Sequence, residues 1–162
     1  MKINLELIEM MLFFWHSTKD KEKVSDIYLN DVASREEMKV LFNDEFDAES
    51  VRKVLSAITN REVLSSRTKT EGLFWNNNMW MSEDLGVTQA MIDPIKALNL
   101  DDVEANAEVI FVPGHSKLYY IDGNKLYINF FKVMVDVFGG TMDVTIDGME
   151  PKDFILSKIK EM

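Results

Sequence analysis

The sequence lacks cysteine and contains few glycine, proline and histidine residues. Without cysteine, the chain has no disulfide, no thiolate nucleophile and no thiolate ligand for a metal. Only 7 Gly and 3 Pro among 162 residues exclude a low-complexity or linker-rich chain. The only histidines, His16 and His115, are far apart in the sequence and have no glutamate at a ligand spacing. We therefore expect no metal site and no cofactor.

Long hydrophobic runs are also missing. The most apolar segment, residues 10–15, is too short to span a bilayer and is not followed by a small-residue cleavage site. We therefore expect a soluble, cytoplasmic protein without membrane association. A helix over this segment would be apolar most of the way round, which is typical of a buried or interfacial helix. This surplus of apolar surface suggests a homodimer.

Motifs for catalysis are absent as well. The sequence contains no nucleophile elbow and no glycine-rich phosphate loop of either common kind. Residues 143–148 begin like a calcium loop, but Phe154 stands at the twelfth position, where such a loop needs glutamate. We therefore assign no catalytic residue. An enzyme of unrecognised type remains the third hypothesis.

The charge of the chain is negative but uneven. The formal net charge is −10, and most of it belongs to residues 82–162. In contrast, residues 52–69 carry five basic side chains and one acidic side chain. An acidic protein repels nucleic acids in general, but this basic island leaves a local anionic contact open.

Apolar spacing predicts helices in the first half of the chain. A first helix is capped by Asn4, and a second begins at Ser17 or Thr18, with a restart at Ser25 as the open alternative. Ser34 with Glu37 has the form of a capping box. The strongest helix begins after Asp47, has apolar residues at helical spacing and ends near residue 60. Residues 62–65 and 73–75 then suggest two strands of a hairpin.

The second half of the chain alternates between apolar and polar residues, which is typical of strands. Helices begin at Ser82 or Thr88 and restart or kink at Pro94. Four antiparallel strands follow, with a break at Phe130-Phe131 and a final helix that begins at Pro151. We predict an α+β fold: a helical unit with a basic hairpin over residues 1–82, then bridging helices, a small antiparallel sheet and a closing helix over residues 83–162. The two parts can share one core.

One segment has an unusual composition. Residues 61–81 are first basic and then contain three consecutive asparagines between two tryptophans. Tryptophan and arginine dominate the binding energy of protein interfaces, and asparagine amides both donate and accept hydrogen bonds. The alternative is that both tryptophans pack inward and the asparagines form a turn. The predicted partner-binding residues are Arg61, Arg67, Lys69, Trp75, Asn76, Asn77, Asn78 and Trp80.

The order of these elements suggests a second function. Two helices over residues 34–60 followed by a basic hairpin have the outline of a winged helix-turn-helix. Ser50, Arg52 and Lys53 would then lie near the start of a recognition helix and contact nucleic acid. The net charge of −10 argues against this reading. We therefore rank a non-enzymatic interaction or regulatory module with a protein partner first, and a DNA-binding transcriptional regulator second.

Overall fold

The structure is a computed structural model that describes residues 1–162, and it confirms the α+β class. Its α-helices are α1 (Glu6–Lys19), α2 (Asp26–Ser34), α3 (Ala48–Asn60), α4 (Lys69–Glu83), α5 (Leu85–Lys96) and α6 (Pro151–Ile159). Its strands are β1 (Lys2–Asn4), β2 (Glu108–Val112), β3 (Tyr119–Asp122), β4 (Lys125–Asn129), β5 (Val133–Val135) and β6 (Val144–Ile146). Short 3-10 helices cover Glu36–Leu41 and Phe130–Lys132. None of the helices is both long and apolar enough to cross a membrane.

The main sheet is mixed, so the prediction of four antiparallel strands is wrong. Its strand order is β1-β2-β4-β3, in which β1, β2 and β4 run parallel and only β3 is antiparallel. The two central strands, β2 and β4, are buried along nearly their whole length. Such continuous burial is typical of parallel strands that are covered on both faces.

The remaining two strands form a separate hairpin. The predicted break at Phe130-Phe131 is confirmed, because a 3-10 helix there separates β4 from β5. Strand β5 then pairs with β6 and not with the main sheet. Helix α6 begins at Pro151 as predicted and buries Phe154 and Ile155.

Helix α3 is confirmed with its predicted boundaries. The Asp47 carboxylate accepts a hydrogen bond from the Ser50 backbone N–H at 3.0 Å. The Ser50 hydroxyl in turn accepts a hydrogen bond from the Asp47 backbone N–H at 3.1 Å. These bonds satisfy N–H groups that the first turn of a helix leaves free.

Two other predicted helix starts are wrong. Helix α1 continues through Ser17 and Thr18, and α2 begins after the alternative start, Ser25, whose hydroxyl accepts from the Tyr28 N–H. Ser34 caps nothing, because its hydroxyl donates to the carbonyl of Asn30 within α2. A hydroxyl bonded back into its own helix is not available to cap the next one.

The predicted basic hairpin is also wrong, because most of that segment forms α4. Thr68 and Glu71 form a capping box, in which the Thr68 hydroxyl accepts from the Glu71 N–H and the Glu71 carboxylate accepts from the Thr68 N–H. Phe74, Asn78 and Met81 then face inward at helical spacing. The wing of the winged-helix outline is therefore not present. The next helix, α5, begins after Asp84 and contains Pro94.

The buried side chains form one hydrophobic cluster that draws residues from both halves of the chain. Trp15 of α1 lies within it, stacks on Phe130 and donates its indole N–H to the Asn78 amide oxygen at 3.0 Å. Most of the apolar surface of α1 is used in this way. Phe13 is the only large apolar side chain of α1 that is exposed, and it contacts Tyr28.

Candidate functional site

A pocket with a volume of about 380 Å³ lies between the end of α3 and the first half of α4. Half of the partner-binding residues predicted from the sequence line it, namely Arg61, Arg67, Trp75 and Asn76. The pocket is completed by Glu62, Val63, Leu64 and Gly72. Val63 was not among the partner-binding residues predicted from the sequence. In the structure it is a large apolar side chain with an exposed fraction of 88%.

Arg61 is held in the pocket wall by an unusual backbone conformation. It follows the last residue of α3 with φ +57° and ψ +45°, which is the left-handed region. The next N–H, that of Glu62, donates to the carbonyl of Ala57 and closes the turn that ends the helix. Glycine is the usual residue at this position, because a side chain in the left-handed region costs about 1 kcal/mol. Despite this cost the position is occupied by arginine, and its guanidinium lines the pocket.

We expect Arg61→Gly to raise the free energy of unfolding by about 0.5–1 kcal/mol, because it relieves this backbone conformation. Thermal or urea unfolding measures the change. The matched control is Arg67→Gly, which removes the same charge from an ordinary backbone position and should not stabilise. A loss of stability in Arg61→Gly would show that the arginine side chain contributes more to the fold than its backbone costs.

Arg67 is held at the pocket by contacts with Leu64 and Gly72. Its guanidinium donates to the Leu64 carbonyl at 3.0 Å. Its side chain also crosses close to Gly72, where an added Cβ would lie 3.3 Å from the Arg67 Nε. Neither Arg61 nor Arg67 forms an ion pair with an acidic side chain. The pocket therefore presents two guanidinium groups that have no ion-pair partner within the protein.

The two tryptophans of α4 have different environments. Trp75 is partly buried in the pocket, and its indole N–H is shielded from solvent without a hydrogen-bond partner. A buried N–H of this kind costs about 1–3 kcal/mol. Trp80 lies outside the pocket with an exposed fraction of 72%. It follows Asn76 by four residues and so lies one turn further along the same face of the helix.

The three asparagines divide among three environments. Asn76 is exposed beside the pocket. The Asn77 amide donates to the Gly114 carbonyl at 3.3 Å and so joins α4 to the loop after β2. Asn78 is fully buried, where it accepts from Trp15 and donates to the Phe74 carbonyl. Since successive helical residues are rotated by about 100°, only Asn76 of the three is exposed to solvent.

No protein-family model, curated protein or solved structure matches this chain. The pocket, together with the exposed face of α4, is named here the α4 surface: Arg61, Val63, Arg67, Trp75, Asn76 and Trp80. Lys69 is exposed at the start of α4 but does not line the pocket.

The residues predicted to contact nucleic acid are engaged within the protein. Ser50 is buried in the capping box of α3, and Arg52 pairs with Glu49 at 2.6 Å. Lys53 bonds to the carboxylate of Glu71 at 3.0 Å. Burial alone would raise the pKa of Glu71, but hydrogen bonds led by the one from the Thr68 N–H, together with Lys53, hold it below the usual value.

His115 belongs to the protein interior. Its Nδ1 accepts from the Ser116 N–H at 2.9 Å, so Nε2 carries the proton and donates to the Leu41 carbonyl at 2.9 Å. The ring also packs edge-on against Phe46. No group of three or more histidine and acidic side chains is arranged to hold a metal ion.

A larger cavity, of about 610 Å³, lies elsewhere, between β1, the start of α1 and the end of α5. Two of its carboxylates are already paired, Glu6 with Arg35 and Glu9 with Lys96. It contains no aromatic side chain and no histidine. The smaller pocket at α4 has two guanidinium groups without an acidic partner and the aromatic ring of Trp75, and is therefore the better candidate site.

Proposed function

We propose that this protein is a non-enzymatic interaction module whose α4 surface binds a partner protein. The observation that carries the proposal is Trp80, a large aromatic side chain exposed beside a pocket with two unpaired arginines. Tryptophan and arginine are the residues that most often dominate the energy of protein interfaces. Val63, exposed at the rim of the pocket, extends the apolar part of this surface.

The chemistry of the pocket favours binding over catalysis. It contains one carboxylate, Glu62, and no histidine, lysine or hydroxyl side chain. General acid–base catalysis needs a group whose pKa lies near the working pH, and nucleophilic catalysis needs an activated hydroxyl, thiol, amine or carboxylate. Guanidinium groups stay protonated and serve chiefly to hold anions.

Site-specific crosslinking tests the proposal. Asn76→p-benzoylphenylalanine places a photoreactive group on the α4 surface, and Asn30→p-benzoylphenylalanine, on the exposed face of α2, is the matched control. After irradiation in cells that produce the protein, mass spectrometry identifies the adducts. We expect a specific protein adduct from position 76 and none from position 30. The same adducts from both positions, or none from position 76, would contradict the proposal.

A further inference from the structure

We infer that the pocket of the α4 surface binds the carboxylate of a glutamate or aspartate side chain within an extended segment of the partner protein. This inference rests on the proposed function and names the chemistry that the surface recognises. It follows from the charge of the pocket, the unpaired indole N–H and the spacing of groups along α4.

Charge complementarity selects an anion. Arg61 and Arg67 line the pocket without an acidic partner, in a protein whose net charge is −10. The planar guanidinium binds carboxylates and phosphates with paired hydrogen bonds. Glu62 shares the wall and reduces the pocket to a net charge of about +1, which suits one carboxylate better than a doubly charged phosphate. The acidic body of the protein also repels the long polyanion of a nucleic acid.

The hydrogen-bonding groups of the pocket fit a carboxylate as well. A carboxylate has about four acceptor positions, more than one guanidinium uses. The indole N–H of Trp75 is the one buried side-chain polar group in the protein without a partner. Because this N–H is covered in the unbound protein, we expect its bond to the ligand to require a small side-chain movement in the pocket wall.

Spacing along α4 predicts the neighbouring residues of the ligand. Asn76 and Trp80 are four residues apart, about 6 Å along the helix axis. Residues i and i+2 of an extended chain are about 6.6 Å apart and point to the same side. A segment whose acidic side chain enters the pocket beside Asn76 therefore places an apolar side chain two residues away against Trp80. The exposed amide of Asn76 offers a donor and an acceptor for the backbone of the ligand between its acidic and apolar residues.

The chain itself has this spacing at Asp136, which is followed two residues later by the exposed Phe138. The Asp136 carboxylate, however, already accepts a hydrogen bond from the Gly139 N–H at 2.7 Å. A second copy of the chain is therefore a poorer occupant than a partner with a free carboxylate. Sedimentation of the protein alone separates the two cases.

A peptide titration followed by NMR tests the inference. The ¹⁵N-labelled protein has three indole N–H signals, from Trp15 bonded to Asn78, from the unpaired Trp75 and from the exposed Trp80. Trp75→Phe and Trp80→Phe assign them. The probe is a capped five-residue alanine peptide with glutamate at position 2 and phenylalanine at position 4, alongside the version with the two residues exchanged. We expect at least one of the two peptides to move the signal of the Trp75 indole N–H proton downfield. The shift should reach a plateau as the peptide concentration rises.

Matched ligands and variants complete the test. Glutamine in place of glutamate in the peptide should weaken binding by about tenfold or more, and so should Arg61→Gln or Arg67→Gln. Lys132→Gln removes a charge from an exposed site outside the α4 surface and should not. Circular dichroism verifies that each variant is folded.

Several outcomes overturn the inference. Equal binding of the glutamine peptide excludes carboxylate recognition, although the α4 surface could still bind a partner. A stronger response to inorganic phosphate or to a 12-base-pair DNA duplex assigns the pocket to phosphate. Self-association that Asp136→Asn abolishes assigns it to a second copy. Absence of any Trp75 shift overturns the inference while leaving the crosslinking at Asn76 as the separate measure of the proposed function.

Discussion

Asn129→Ala is expected to lower the free energy of unfolding by about 4 kcal/mol, a large share of the stability of a domain of this size. Asn129 is fully buried at the end of β4. Its amide oxygen accepts from the Gly114 and Phe131 N–H groups, and its amide nitrogen donates to the His115 and Lys117 carbonyls. Removing the amide deletes four hydrogen bonds to backbone groups, and each buried group left without a partner costs about 1–3 kcal/mol. Urea unfolding measures the loss.

Gly114→Ala provides the control, because a Cβ at this position would lie 2.6 Å from the Cγ of Asn129. Alone, it should cost about 3 kcal/mol by displacing that side chain. Asn129→Ala removes the three atoms nearest to the new Cβ, which are the Cγ, Nδ2 and Oδ1 of Asn129. The double variant should therefore be about as stable as Asn129→Ala. A loss equal to the sum of the two single losses would contradict the contact.

This loop also supports the candidate site, because Asn77 of α4 donates to the Gly114 carbonyl. Asn129 holds the loop from the sheet side, and Asn77 joins it to the helix that carries Trp75, Asn76 and Trp80. The interior asparagines thus fix the orientation of α4, and that orientation determines which side chains reach solvent.

Local signals in the sequence were sufficient for some elements. Helix α3 has both an N-terminal capping residue, Asp47, and apolar residues on one face, so its prediction needed no information from the rest of the chain. The start of α6 at Pro151 likewise follows from its own residues, because proline suits the first position of a helix. Both features are decided within a few positions.

Helix α4 shows why other elements could not be predicted in this way. Its buried face includes Asn78, a polar residue that interrupts the apolar period. Asn78 is buried because it bonds to Trp15, 63 residues earlier in the chain. Strand β1 was missed for a related reason. It has only three residues, and their pairing partners in β2 lie more than a hundred positions later in the chain. Tertiary contacts overrode the local pattern in both elements.

The candidate site was predictable where it depends on residue type and unpredictable where it depends on tertiary structure. The composition of residues 61–81 identified the arginines and tryptophans of the α4 surface, because these residue types concentrate in interfaces. It could not separate exposed Asn76 from Asn77 and Asn78, because that division depends on the helix. Val63 and Gly72 gave no signal, since they matter only once α4 lies beside the end of α3.

Trp80→Ala is expected to reduce the yield of the partner adduct at position 76 by about 30-fold at limiting protein concentration. The reason is that an interface tryptophan of this kind commonly contributes 2 kcal/mol or more of binding energy, and 1.4 kcal/mol corresponds to tenfold in affinity. The fold should not change, because with an exposed fraction of 72% the indole contributes little to the core. Quantitative mass spectrometry of the adduct measures the yield.

Ile27→Ala is the matched control, because Ile27 of α2 has nearly the same exposed fraction, 75%, and lies outside the α4 surface. Both variants should unfold within about 0.5 kcal/mol of the parent protein. If Ile27→Ala lowered the adduct yield as much as Trp80→Ala, binding would depend on exposed apolar area in general. An effect confined to Trp80 instead requires that the partner contacts the face of α4 beside the pocket, where the two unpaired arginines lie.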